Sequence, residues 1–187
     1  MFKTACWMRD TYDKGTVMKT QQHGFSLIEL ITTVSISTIL LSIGAPSLSD
    51  FNTRFRADSN IKVIQQTLML ARNHAISFNR KVTVCALSTN QCSSNWQLGL
   101  TVFIDVNCNS QLDGNEPTIF TTNAFNASDT VIYNRTLIRF QPDGLASGTN
   151  GTLKYCPSSP TSPYSRGVVV NQAGRTRLST DANIRCG

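Results

Sequence analysis

Apolar residues along this chain follow three successive patterns. From Phe25 to Ala45 they dominate, and Glu29 is the one charge in those 21 residues. A helix needs about 20 largely apolar residues to cross a bilayer, so this run predicts a single membrane span over 25–45. Hydroxyl residues dilute it: Ser26, Thr32, Thr33, Ser35, Ser37, Thr38 and Ser42. Beyond it, Phe51, Phe55, Ile61, Ile64, Leu68, Ala71, Ala75 and Phe78 recur at steps of three and four, with one slot filled by Asp58. Arg54, Arg56, Lys62, Gln65, Arg72 and Asn73 fall between them, which predicts an amphipathic helix with one face against a domain. Pro46 lies at the junction, where loss of one backbone hydrogen bond predicts a kink or local melting.

From Arg80 onward the pattern changes again. "KVTVCAL", "LGLTVFIDV", "PTIFTT", "TVIYN", "LIRFQ", "GTLKYC", "RGVVVNQ" and "RTRLS" are short strand candidates split by Asn, Gly, Pro and Ser turns. The predicted fold class is α+β: a long N-terminal helix over 25–79, half membrane anchor and half spine, packed on an antiparallel β domain of two small sheets over 80–187.

Composition narrows the functions. The 187 residues are 40% hydrophobic and 15% charged, with a net charge of +6. That is globular composition with a mild bias towards anionic partners. The two histidines, His23 and His74, stand far from any cysteine, and no C-x-x-C pair or Gly-rich phosphate loop occurs. The chain therefore reads as a non-enzyme without a cofactor. Six cysteines, at 6, 85, 92, 108, 156 and 186, point to an oxidising compartment.

The segment "MKTQQHG|FSLIEL" explains the carboxylate in the apolar run. A short basic leader, a Gly, a Phe, an apolar triplet and a Glu together resemble the prepilin leader of type IV pilins and type II secretion pseudopilins. The resemblance implies cleavage after Gly24 by a prepilin peptidase, N-methylation of Phe25, and a leader over 1–24. Residues 1–17 have no helical or strand period and read as an over-extended gene start. It also implies that Glu29 attracts the N-terminal amine of a neighbouring pilin subunit during assembly. The plain alternative is a carboxylate near the membrane edge that reaches water. Pro46, twenty-one residues after Phe25, matches the family's helix-bending proline. The implied location is the bacterial inner membrane, single-pass with the globular domain periplasmic, and then a pilus at the cell surface.

Within the family, a long helix followed by an all-β half resembles the minor pilins FimT and FimU and pseudopilins of the GspH type. "VTVC", "WQLGLTVFIDVNCN" and "GRTRLS" carry that resemblance. Cys85 and Cys92 flank "CALSTNQC" and are placed to close it. A Cys156–Cys186 bridge would tie the C-terminal tail to an internal strand, as the family often does. Cys108 is then left over, as a free thiol or as a sign that this pairing is wrong.

Two stretches carry candidate chemistry. In "DVNCNSQLDGNE", Asp105, Asn107, Asn109 and Glu116 occupy positions 1, 3, 5 and 12 of a calcium-loop pattern, with Asp113 at position 9. Ser110 stands where the sharp turn needs Gly, and such Asn/Asp-rich segments are also ordinary hairpin loops.

The second stretch is the C-terminal end. From Val131 to Gly187 there are seven basic and two acidic residues, net +5, whereas the chain after Gly24 has thirteen and nine, net +4. "VVVNQAGRTRLS" reads as a hairpin turning at Gln172–Gly174. Arg175 and Arg177 are two apart and predicted to share a strand face, with Gly174 supplying a positive φ. Arg166, Lys154 and Arg185 are candidates to enlarge the patch. Guanidinium forks bind successive phosphates in a salt-sensitive, sequence-independent way. "GRTR" also matches the G-R-x-R motif of FimT-type minor pilins, linked there to DNA capture in natural transformation. The resemblance implies double-stranded DNA as a partner of Gly174, Arg175 and Arg177. A contact with the next subunit, or a plain solvated face, are the other readings of the same residues.

Overall fold

In the computed structural model the described residues are 24–146 and 148–187. The expected leader before Gly24, with Cys6, lies outside them. Helix α1 spans Leu27–Phe78. Ser26 caps it: its Oγ accepts the Ile28 N–H at 3.2 Å, satisfying one of the free amides of the first turn. Glu29 lies in that turn, where the positive end of the helix dipole favours a carboxylate. The hydroxyls of Thr32, Thr33, Ser35, Ser37, Thr38 and Ser42 each donate to a carbonyl three or four residues earlier, at 2.7–3.0 Å. Each of these six hydroxyls is thus satisfied within the helix, which lowers its cost in an apolar medium. The helical run is continuous through position 46, so the local melting expected there does not occur. The Pro46 ring lies outside the described side chains.

The chain forms two compact units, one ending at Ile43 and the other spanning Gly44–Gly187. The amphipathic half of α1 belongs to the second. It buries Ala57, Ile61, Ile64, Leu68, Ala71 and Ala75 against the β domain. Phe51, Phe55 and Phe78 were expected on that face, but they are 65%, 64% and 56% exposed. The buried stripe starts only at Ala57, and Phe51 instead stacks on Phe55. The helix ends at Asn79, which adopts φ 51° while the Arg80 N–H reaches back to the Ala75 carbonyl at 3.2 Å.

The first sheet is built around β1 (Val82–Ser88). Antiparallel β3 (Thr101–Ile104) and β6 (Leu137–Phe140) flank it, β4 (Thr118–Thr121) lies beyond β3, and β2 (Gln91–Ser93) turns back on its far end. The second sheet runs β5 (Thr130–Ile132), β7 (Gly151–Cys156), β8 (Arg166–Val170) and β9 (Thr176–Leu178), all antiparallel. All eight expected strands form. The pattern missed β2 and the 3-10 turn Trp96–Leu98. Trp96, Phe103, Phe140, Leu153, Tyr155 and Val168 fill the core with the helix stripe. Disulfides join Cys85 to Cys92 and Cys156 to Cys186, and Cys108 is a free thiol.

A buried ion pair ties the helix to the β domain. Arg56 donates Nε and Nη2 to the two oxygens of Asp129, at 3.0 and 2.9 Å. The same carboxylate accepts from the Tyr155 hydroxyl and the Ser158 N–H, and Asn60 Nδ2 donates to Tyr155 Oη at 2.7 Å. Asp129 has no exposed side-chain surface, so its charge is held by bidentate geometry and filled lone pairs.

Candidate nucleic-acid interface

Strand register decides which basic residues share a surface. Cross-strand partners lie on one face and neighbours along a strand alternate. Tyr155 pairs with Arg166, and Tyr155 reaches Asn60 of α1, so this pair faces the helix. Thr152, Val169 and Arg177 are in register on the opposite, outer face, together with Lys154 and its partner Gly167.

The C-terminal tail folds back across that outer face. Lys154 Nζ donates to the Arg185 carbonyl at 3.0 Å, and the Cys156–Cys186 bridge fixes the next residue. Gly167 gives the tail its seat, because a β-carbon there would stand 3.0 Å from Ile184 Cδ1. Lys154, Arg177 and the Arg185 backbone therefore lie on one side of the second sheet.

Arg166 does not join them. Its Nε donates to Asp58 Oδ1 of α1 at 2.9 Å, on the helix side. It starts β8 one residue out of phase with the outer face, and its charge is answered by the helix.

Gly174 does more than set the φ of the turn. It has φ 72° as predicted, but it is buried, and a β-carbon on it would lie 1.8 Å from the Gly144 carbonyl oxygen. The β8–β9 turn is thus pressed onto the loop after β6. The Ala146 N–H donates to the Gln172 carbonyl at 3.0 Å across this contact. Arg72 of α1 pins both pieces, donating Nε to the Gly144 carbonyl at 3.1 Å and Nη2 to the Ala173 carbonyl at 3.3 Å. Asn171 closes the turn: its Oδ1 accepts the Arg175 N–H at 2.8 Å.

Arg175, just past that turn, lies at the sheet edge beside the helix. With Met69, Arg72, Asn73 and Thr176 it lines a groove of about 340 Å³. Arg175 and Arg177 are both exposed, and among the described residues neither has a carboxylate within 4.0 Å. Sequence reading missed Arg72, Asn73 and Gly144. The helical period placed Arg72 and Asn73 only on a polar flank, and no local signal links them to a turn a hundred residues on.

The candidate calcium loop closes on itself. Asp105 is 1% exposed and takes Arg139 Nη2 and the Thr83 hydroxyl on Oδ2. A guanidinium therefore stands against the carboxylate expected at position 1. Glu116 accepts the Val106 and Asp113 N–H groups at 2.8 and 3.2 Å, while Asn107 and Asn109 donate to Asp113. Among the described residues no cluster of three acidic, His or Cys side chains is placed to hold a metal. Cys108, at φ 62°, accepts from Lys81 Nζ at 3.4 Å beside this loop.

An exposed apolar helix running into an amphipathic half that carries a two-sheet β domain is the architecture of a pilin-like subunit. The chain belongs to the family described as Type II transport protein GspH, which matches residues 61–174, and it carries the prokaryotic N-terminal methylation motif over 19–45. It is a minor pilin or pseudopilin of a type IV pilus or type II secretion system, a class that is structural rather than catalytic and associates with other pilin subunits in filaments. Two crystal structures of the Pseudomonas aeruginosa type IV minor pilin FimU are similar, at TM-scores of 0.58 and 0.53 and 22% and 21% identity. They cover 73% and 70% of this chain and 99% of FimU in each case. The minor pseudopilin EpsH of the Vibrio cholerae Type 2 Secretion System matches at 14% identity and TM-score 0.48, over 66% of this chain and 96% of its own. No curated protein matches the chain in sequence. At such identities the FimU likeness speaks for the fold alone. The family match ends at Gly174, one residue before the first exposed arginine of the hairpin.

Proposed function

We propose that this minor pilin binds double-stranded DNA through its C-terminal hairpin and serves DNA uptake in natural transformation. The observation that carries the reading is the uncompensated charge there. Arg175 and Arg177 project from the turn and strand without an acidic partner among the described residues, and Lys154 and Arg185 stand on the outer face with Arg177. Such a surface favours phosphate contacts over base reading, and few aromatics accompany it. Gly174 supports the site by seating the turn.

In the same reading, prepilin peptidase cuts after Gly24, Phe25 becomes the methylated terminus, and Glu29 receives the amine of a neighbouring subunit. Pro46 marks the passage out of the span. The domain faces the periplasm until the subunit leaves the inner membrane for a pilus at the cell surface, where display of many sites raises a modest affinity. The other reading is a subunit that primes filament assembly and binds no DNA, and the GspH family match favours it.

Fluorescence anisotropy of a mixed-sequence duplex separates the two, using full-length protein in detergent at two salt concentrations. Wild type is expected to bind, and Arg175→Gln/Arg177→Gln to bind more weakly, with a salt dependence shallower by about two phosphate contacts. Absence of binding at low salt leaves the assembly role.

A further inference from the structure

We propose that the groove between α1 and the β8–β9 turn seats one phosphodiester of the nucleic-acid backbone, with Arg72 and Asn73 of the helix donating from one wall and Arg175 from the other. The inference rests on the DNA-binding reading above and extends it to the helix, on which that reading places no contact.

The groove is lined by Met69, Arg72, Asn73, Arg175 and Thr176, so two guanidinium groups face a space of about 340 Å³ that no carboxylate lines. Like charges brought together without a counter-charge repel, and this arrangement fits an anion as its missing component. Arg72 is fixed in place beforehand. Its Nε and one Nη2 proton are spent on the Gly144 and Ala173 carbonyls, and its Nη1 has no protein acceptor among the described residues. A guanidinium held by two carbonyls loses little side-chain entropy on binding, unlike a free surface arginine. Asn73 is exposed and its amide makes no hydrogen bond among the described residues, so it adds neutral donors at the same wall. Arg175 is carried by the turn that Arg72 itself pins, which sets the two walls in register. Arg177, on the outer face of β9, is then placed for the next phosphate along a strand rather than for the same one.

The test uses full-length protein in detergent and duplex DNA, read by anisotropy. Asn73→Asp puts a carboxylate into the groove without touching the bonds of Arg72, and Asn115→Asp in the β3–β4 turn makes the same charge change elsewhere. The proposal expects Asn73→Asp to weaken binding roughly tenfold and Asn115→Asp by less than about twofold, with equal denaturation midpoints. It also expects Arg72→Gln and Arg175→Gln to be non-additive, the double variant losing less than the product of the singles. Because Arg72→Gln also loosens the turn, Arg72→Lys gives a milder check: it keeps the charge, loses the fork, and is expected to bind more weakly than wild type. Wild-type binding with Asn73→Asp matching Asn115→Asp overturns the groove and leaves the hairpin reading standing. No binding by wild type overturns both.

Discussion

Gly174 and Gly144 meet so closely that a single added β-carbon on Gly174 would stand 1.8 Å from the Gly144 carbonyl oxygen. Gly174→Ala is expected to destabilise the protein by about 2–3 kcal/mol, combining the clash with the strain of a positive φ. It should also lower DNA affinity, since the displaced turn carries Arg175. The denaturation midpoint reads the first effect, and an unchanged midpoint would rule out the contact. Substitution at Gly148, where φ is 76° but no atom lies within 4 Å of the added carbon, should cost only the φ strain, about 1 kcal/mol.

The Arg56–Asp129 pair is buried on its acidic side. Arg56→Met should destabilise by about 3–5 kcal/mol, because it strands a carboxylate that has no route to water. Replacing both partners, as Arg56→Met/Asp129→Leu, should cost less than the single change. A double variant that is worse than Arg56→Met would contradict this account.

Two tyrosines set an alkaline limit. Burial pushes the Tyr133 hydroxyl up from 10.0 to about 12, and burial, followed by the hydrogen bond to Asp129, does the same for Tyr155. Unfolded tyrosines ionise near pH 10, whereas these keep their protons in the fold. Their share of stability is therefore intact below pH 10 and is lost as pH rises towards 12, at about 1.4 kcal/mol per pH unit for each. Tyr155→Phe and Tyr133→Phe should each flatten the alkaline limb of a stability–pH curve.

Disulfide removal should separate the two bridges by loop length. Cys156 and Cys186 are 30 residues apart and Cys85 and Cys92 are 7 apart. Loop entropy gives about 3.6 kcal/mol for the first and about 2.4 for the second. Only loss of the first should also weaken DNA binding, because it frees the tail that holds Arg185 against Lys154. Equal affinity in Cys156→Ala/Cys186→Ala and wild type would remove Arg185 from the surface.

Calcium offers a final check on the 105–116 loop. With Arg139 and the loop's own amides on its carboxylates, millimolar calcium should leave the denaturation midpoint unchanged, and a clear rise would reopen the site.

What the sequence made legible were features with a period or a local signature. The three-and-four spacing of Ile61, Ile64, Leu68, Ala71 and Ala75 found the buried stripe, and alternation found eight strands. It failed at Phe51, Phe55 and Phe78, because apolarity alone does not say where the covering domain begins. Alternation set Arg175 two residues from Arg177, but it could not show that Arg175 leaves the turn beside α1. Nor could it show which sheet face the helix covers, and that is what removed Arg166 from the patch. Arg72 and Gly174 are brought together only by the fold, and Asp105 looked like a ligand because Arg139 was 34 residues away.

The backbone-bonded hydroxyls of the first helical half also bear on how firmly such a segment would be held by a bilayer. A span made wholly of leucine would sit deeper in free energy and resist extraction. Here six serines and threonines shorten the apolar run while keeping their own protons on helix carbonyls, which would give a membrane anchor a shallower hold than leucine. A subunit that must be pulled out of one environment and packed among its neighbours is served by an anchor with that shallow hold.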